Sequence, residues 1–317
     1  MICQFNMKSF IIKTLLLVSP IIFICIFMEY SLRKIPNNYT YKKNYLDNHS
    51  SEIQMLIFGS SYSYFGINPE FISHNAFNVG MVTQSLYWDW EILKKYQNQL
   101  KELNIIILPI AYQSFWYNLE DQPEFWRVKN YKLYWEINPN SFRFYSELLT
   151  NPFGTSLERL FKYIFEKTNE ISCNSFGWGM IYRSENAANL NETGKNTAKR
   201  YTVDMFSDKY IKLFNENLEV INSFSEFCSK RDISLVFLVT PTYYTFRENI
   251  DQDQLNKMMK TMDDFVNNHS HCYLLSWFDH SDFVEKDFYD ADHLNEIGTE
   301  KFSLMVYEKL KEINLIK

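Results

Sequence analysis

The chain has 317 residues and a formal net charge of -6, long enough to bury a full core in one large domain behind a short apolar leader. The acidic balance excludes a nucleic-acid reader, because no cationic surface is available to neutralise phosphates. Five cysteines with no CxxC pair, and no histidines at metal-ligand spacing, argue against a zinc site or a disulfide framework. We therefore expect no metal and no cofactor.

From the amino terminus, the first element is an apolar stretch from Phe10 to Met28 interrupted only by Lys13. It reads as a membrane anchor over residues 1–30, with a cleaved signal peptide and a buried core helix as alternatives. Lys8 and Lys13 precede or open the run and Arg33, Lys34, Lys42 and Lys43 follow it, so charge alone does not orient it. Residues 31–51 are polar, contain Pro36-Asn37-Asn38, and read as a juxtamembrane linker. The ordered domain is expected over residues 52–317.

Within it, short apolar runs alternate with longer amphipathic segments, the pattern of a parallel sheet with helices packed outside. Strands are predicted at about 54–58, 76–79, 104–110, 233–240 and 272–278, and helices at 84–100, 208–231, 252–269 and 295–313. Between the third and fourth strands, residues 112–203 break this rhythm. They are dense in aromatics such as Phe115, Trp116, Tyr117, Tyr131 and Trp135. An insertion at that sheet edge would form a lid or substrate wall. With 22 Tyr and 27 Phe in the chain, the plainer alternative is that these rings build core.

Two short motifs carry chemistry. Phe58-Gly59-Ser60-Ser61 follows the first strand, where Gly59 permits a tight turn and a following helix would present N–H groups to a developing oxyanion at Ser61. Asp290-Ala291-Asp292-His293 precedes the last helix, with Asn295 as a cap. There Asp290 can accept the imidazole Nδ1–H and leave Nε2 of His293 to take a serine proton. Alone, the first motif is a common turn and the second a solvated acidic loop. Ser63 is a rival nucleophile and His280 a rival base. Thr242, in the loop after the fourth strand, falls at the same sheet edge and is a candidate pocket residue.

In combination and in this order, the motifs resemble the SGNH/GDSL hydrolase superfamily, and its membrane-anchored envelope branch related to the teichoic acid D-alanine transfer protein and alginate-type O-acetyltransferases. The resemblance implies a flavodoxin-like three-layer α/β sandwich with Ser61 as nucleophile, His293 as base and Asp290 as acid. It implies backbone donors to the oxyanion at Ser61 and at Gly80, in Phe77-Asn78-Val79-Gly80. The superfamily's third-block asparagine is missing; the third strand ends Leu108-Pro109-Ile110-Ala111-Tyr112-Gln113-Ser114 instead. Gln113 or Ser114 is then the candidate replacement donor, and Tyr112 a candidate pocket neighbour.

The resemblance further implies an esterase or O-acyltransferase, with O-acetyl as the expected group. Its substrate would be a cell-envelope or secreted glycan, its acyl donor would come from a membrane-bound acyltransferase, and its catalytic domain would lie in the periplasm or outside the cell. The alternatives are a non-catalytic, membrane-tethered glycan-binding or assembly protein, and a flavodoxin-like nucleotide binder. The second is disfavoured because the first loop has only Gly59 and no glycine-rich phosphate cradle.

Overall fold

The computed structural model describes residues 7–137 and 145–316. Part of the expected insertion, residues 138–144, and the first six residues of the expected anchor lie outside the described residues. In chain order the first elements are α1 (Met7–Arg33), α2 (Asn38–His49), β1 (Met55–Ile57), α3 (Ser61–Tyr64), β2 (Ala76–Asn78), α4 (Leu86–Tyr96) and β3 (Ile105–Pro109). Helices α5 (Val128–Leu133), α6 (Glu147–Thr150), α7 (Phe153–Phe165), α8 (Leu190–Tyr201) and α9 (Asp208–Ser229) precede β4 (Ser234–Val239). The chain then runs through α10 (Tyr244–Arg247), α11 (Gln252–Asn267), β5 (Cys272–Ser276), β6 (Phe288–Asp290), β7 (His293–Leu294) and α12 (Glu296–Glu312). These elements group into two compact units, Met1–Tyr41 with Trp126–Ile171, and Lys42–Phe125 with Ser172–Lys317.

The larger unit holds a five-stranded sheet of order β2-β1-β3-β4-β5, parallel throughout. Each strand falls inside its predicted span, because a strand covered on both faces must be apolar nearly throughout. One face carries Met55, Ile57, Ile105, Ile107, Val236 and Leu238 against Phe302, Val306 and Leu310 of α12. On the other face Phe237 meets Phe265 of α11 edge-on at 5.9 Å, and Phe58, just past β1, meets Phe224 of α9 at 5.5 Å. The result is the expected three-layer α/β arrangement in flavodoxin-like order. A small antiparallel hairpin, β6–β7, was not expected from the sequence.

In the smaller unit, α1 is a long apolar helix whose side chains from Phe10 to Phe27 are mostly exposed. That exposure removes the buried core helix as an alternative and is consistent with an anchor or a signal sequence. The chain between this helix and β1 corrects the linker expectation. Pro36 follows the end of α1, and the Asn37 side chain then accepts the N–H groups of Tyr39 and Thr40, starting α2. The polar composition misleads because Lys42 and Leu46, one turn apart, are both fully buried, and Tyr45 stacks on Phe77 at 3.8 Å. The aromatic segment is likewise more than a lid, since Phe115, Trp116, Tyr131 and Trp135 are all buried.

Replacing Leu46 by Ala should therefore lower the stability of the detergent-solubilised chain by about 2–5 kcal/mol. The exposed neighbour Asn44→Ala should stay within about 0.5 kcal/mol. Urea titration followed by circular dichroism checks both, and equal, negligible shifts would mean that this segment is a solvated linker.

Candidate active site

The site is built on the carboxyl edge of the sheet, where β1 hands the chain to α3. At Gly59 the backbone adopts φ +110°, and a Cβ there would lie 3.1 Å from Ser63 Oγ and 3.2 Å from Pro109 Cδ. Only glycine meets both conditions without strain. The Gly59 N–H donates to Asp89 Oδ1 at 2.8 Å, and the same oxygen accepts Gln84 Nε2 at 2.6 Å. Asp89 lies in the first turn of α4 and is buried, so burial pushes its carboxyl up to about 7 against these two donors. The turn leaves Ser61 as the first residue of α3, where its N–H has no intrahelical acceptor.

The second half of the site comes from the β6–β7 turn. Asp290 Oδ1 accepts the backbone N–H groups of Asp292 at 3.2 Å and His293 at 2.8 Å, and it also accepts His293 Nδ1 at 2.8 Å. An ionised carboxylate only accepts, so this contact puts the proton on Nδ1 and turns Nε2 toward Ser61. Nε2 lies 2.7 Å from Ser61 Oγ. Asn295 holds the loop from below by accepting the N–H groups of Ile297 and Gly298 at the start of α12 and donating to the Lys286 and Phe288 carbonyls.

Two further groups flank the imidazole. Asp292 Oδ1 stands 3.6 Å from His293 Nδ1, while its Oδ2 accepts the Tyr62 hydroxyl at 2.6 Å. The Tyr62 ring stacks on His293 with centroids 4.8 Å apart. Burial disfavours the imidazolium, but Asp290 and Asp292 together outweigh it and push His293 up to about 9. Asp292 is raised to about 6 by burial and by Asp290, against the pull of His293, whereas Asp290 stays lowered because its contacts with His293 outweigh its burial. Asp290, Asp292 and His293 would offer three ligand-type atoms within 4.8 Å of one another, yet these atoms are already engaged in the hydrogen bonds just described.

Several expectations are corrected. The Gly80 N–H donates to Asn78 Oδ1 at 2.9 Å and the Gly80 carbonyl accepts Lys42 Nζ, so both backbone groups of this residue are committed. Gly80 is required instead for close packing, because an added Cβ would overlap Ser63 Oγ and approach Gly59 O to 2.8 Å. Lys42 is fully buried over the Tyr64 ring, 4.4 Å from its centroid, and burial brings its amine down to about 7. Tyr112 and Thr242 do not line the pocket beside Ser61. The Tyr112 hydroxyl pairs with Thr202 Oγ1 and accepts the Asp251 N–H, while the Thr242 hydroxyl donates to the Phe278 carbonyl. Ser63 Oγ donates to the Ser60 carbonyl, and His280 accepts the Asp282 N–H on a separate loop.

Gln113 and Ser114 do line that pocket, together with Thr83, Gln84, Asp89, Tyr117 and Tyr201. The Ser114 hydroxyl accepts the Ala111 N–H, whereas Gln113 Nε2 donates to the Tyr62 hydroxyl at 3.3 Å and its buried Oε1 has no hydrogen-bond partner among the described residues. Sequence reasoning missed Tyr62, Asp89 and the second carboxylate, Asp292. Only Asp292 left a sequence signal, as one of the acids crowded before His293.

No protein-family model matches the chain, and no curated protein matches it. Among solved structures, a protein of Bacteroides fragilis provisionally named an acylhydrolase is similar with TM-score 0.42 and 8% identity, over 86% of this chain and 96% of that one. A protein of Streptococcus pneumoniae provisionally named a platelet activating factor is similar with TM-score 0.42 and 12% identity, over 95% of this chain and 99% of that one. The fold described above rests on the strand order of this chain itself.

If two carboxylates hold the imidazole charged, the ring should titrate near 9, and Asp292→Asn, which removes one of them, should lower that value. Ring-carbon NMR of histidine-labelled chain, assigned through His293→Gln, checks this. A His293 midpoint unchanged by Asp292→Asn would contradict the assignment of Asp292.

Proposed function

We propose that the chain is a serine-dependent acyl ester hydrolase or O-acyltransferase. The single observation that supports this reading is the hydrogen-bonded series from Ser61 Oγ to His293 Nε2 and from His293 Nδ1 to Asp290. In the first step His293 Nε2 takes the Ser61 hydroxyl proton as Oγ bonds to the ester carbonyl carbon. The tetrahedral oxyanion collapses, the bond to the leaving alkoxide breaks, and His293 returns the proton to that alkoxide. Water or a sugar hydroxyl, deprotonated by the same imidazole, then attacks the acyl-enzyme and releases Ser61. Hydrolysis and transfer differ only in which hydroxyl the pocket admits.

For the substrate we propose an O-acylated glycan, with O-acetyl as the group carried. In support, the Ser61 pocket presents polar side chains and the rings of Tyr117 and Tyr201. A second cavity of about 140 Å³, which shares Gln113, Tyr117 and Tyr201 with it, adds Trp116, Asn118, Gln122 and Tyr210. Flat rings beside amide groups suit the apolar faces and hydroxyls of sugars. With α1 as a retained anchor, the glycan would belong to the cell envelope and the acyl group would come from a membrane-bound donor.

One observation favours a different reading, a tethered glycan-binding protein without turnover. The Gly80 N–H is taken by Asn78, so the oxyanion would depend on the Ser61 N–H and on Gln113. Losing one such donor typically costs 10²–10³ in rate, about 2.7–4 kcal/mol.

A fluorophosphonate probe separates the two. We expect labelling of the full-length chain in detergent that vanishes in Ser61→Ala and His293→Gln. Because His293 must be neutral to act as base, the labelling rate should rise about tenfold per pH unit below its titration point and level off above about 9. No labelling across this range, in chain whose circular dichroism shows it folded, would sink the enzymatic reading.

A further inference from the structure

The smaller unit carries an apolar surface that its own packing does not use. Along α7, Phe153, Leu157, Phe161, Ile164 and Phe165 are 45–70% exposed and recur at helical spacing, giving one apolar stripe. Leu149 of the neighbouring α6 is likewise an exposed apolar side chain, at 83%. Thr155 and Lys162, both exposed and more than a third of a turn around the helix from the middle of the stripe, mark the polar side of α7, with Glu158 at the stripe's margin. An exposed apolar face of this extent marks a binding surface.

Its position relative to α1 indicates what covers it. Leu160, at the edge of the stripe, packs with Met28, Leu32 and Ile35. A hydrocarbon core about 30 Å thick takes about 20 helical residues, so a span that ends with the apolar run at Met28 begins near Ser9. Leu160 therefore meets α1 where the span leaves the hydrocarbon, and α7 lies at the depth of the headgroups.

Polar contacts fix that placement. Glu29, the first charge after the apolar run, accepts the Ser146 hydroxyl and the N–H groups of Glu147 and Leu148, capping α6. Arg33 donates to Glu29 and to the Tyr145 carbonyl. Glu147 is buried with Lys129 at 2.8 Å and Arg159 at 2.7 Å, and Arg159 also pairs with Glu170 at 2.6 Å, which anchors α7. Glu147 stays lowered because its two cations outweigh its burial. With both ends of this network buried or paired, α7 is held in one rotational setting.

We propose that α7 is an interfacial helix whose Phe153, Leu157, Phe161, Ile164 and Phe165 face lies in the lipid headgroup and upper acyl region beside α1. The occupant is lipid rather than a second protein, because the face is continuous in depth with the exposed apolar surface of α1. This inference rests on reading α1 as a retained membrane span. The helix would hold its unit against the bilayer instead of leaving it to swing on a single span.

The test places the fluorophore NBD on single cysteines in full-length chain whose five native cysteines are replaced, reconstituted in phosphatidylcholine–phosphatidylglycerol vesicles. Labels at Leu157→Cys and Phe161→Cys should show blue-shifted emission and quenching by lipids carrying a nitroxide in the upper acyl chain. Labels at Thr155→Cys and Lys162→Cys should show neither and should be quenched by aqueous iodide. The residues are exposed, so the labels should cost little stability, and circular dichroism of each variant confirms folding. Chain that floats with the vesicles while positions 157 and 161 remain open to iodide would overturn the interfacial helix and leave the span intact. Blue shifts that resist lipid quenching and track dimer formation in crosslinking would overturn lipid as the occupant. Chain that does not float at all would overturn the anchor itself.

Discussion

At Gly59 the chain leaves β1 with φ +110°, and its amide is held by a carboxylate buried in the neighbouring helix. The rest of the site depends on this turn. A parallel sheet directs β1 toward one edge, but the sheet alone does not decide where the next side chain points. The left-handed residue reverses the path within a single step, and Asp89 fixes it by accepting both Gly59 N–H and Gln84 Nε2. Ser61 is then delivered as the first residue of α3, at hydrogen-bond distance from an imidazole 232 positions away in sequence. A conformation open mainly to glycine and a buried acid are both costly, and they persist because the surrounding packing determines them.

The second feature is electrostatic. His293 faces not one carboxylate but two, and the second, Asp292, is held in place by the Tyr62 hydroxyl. A single acid would orient the ring; two acids also raise its basicity at the expense of the neutral form at pH 7. The same cluster ties Tyr62, the neighbour of Ser61, to His293 through a ring stack and to Asp292 through a hydrogen bond. Opposite this strongly basic half, the backbone donors are sparse, since Gly80 spends its N–H on Asn78 and its carbonyl on Lys42.

Much of the fold was legible because it follows from burial. Runs such as Ile105-Ile106-Ile107-Leu108 must be central strands, and the helices between them show their apolar spacing directly. The Asp290-x-x-His293 spacing was legible for a similar reason: the contact is local, so sequence separation reports it. What escaped was decided by tertiary partners. Nothing in the polar segment before β1 marks Lys42 as buried, because its partners are a carbonyl and a ring more than twenty residues away. Asp89 resembles any acid in the first turn of a helix until Gly59 is seen beside it. Gly80 occupies the expected place, but whether its amide is free depends on the rotamer of Asn78, which no motif encodes.

The central claim is that Ser61 forms a covalent acyl intermediate with His293 as its base. Intact-protein and peptide mass spectrometry after rapid acid quench from p-nitrophenyl acetate tests it most directly. The account predicts one acetyl group on the peptide that carries Ser61, absent in Ser61→Ala and strongly reduced in His293→Gln. An acetyl adduct that persists in Ser61→Ala, or wild-type chain that never acquires one, would contradict it.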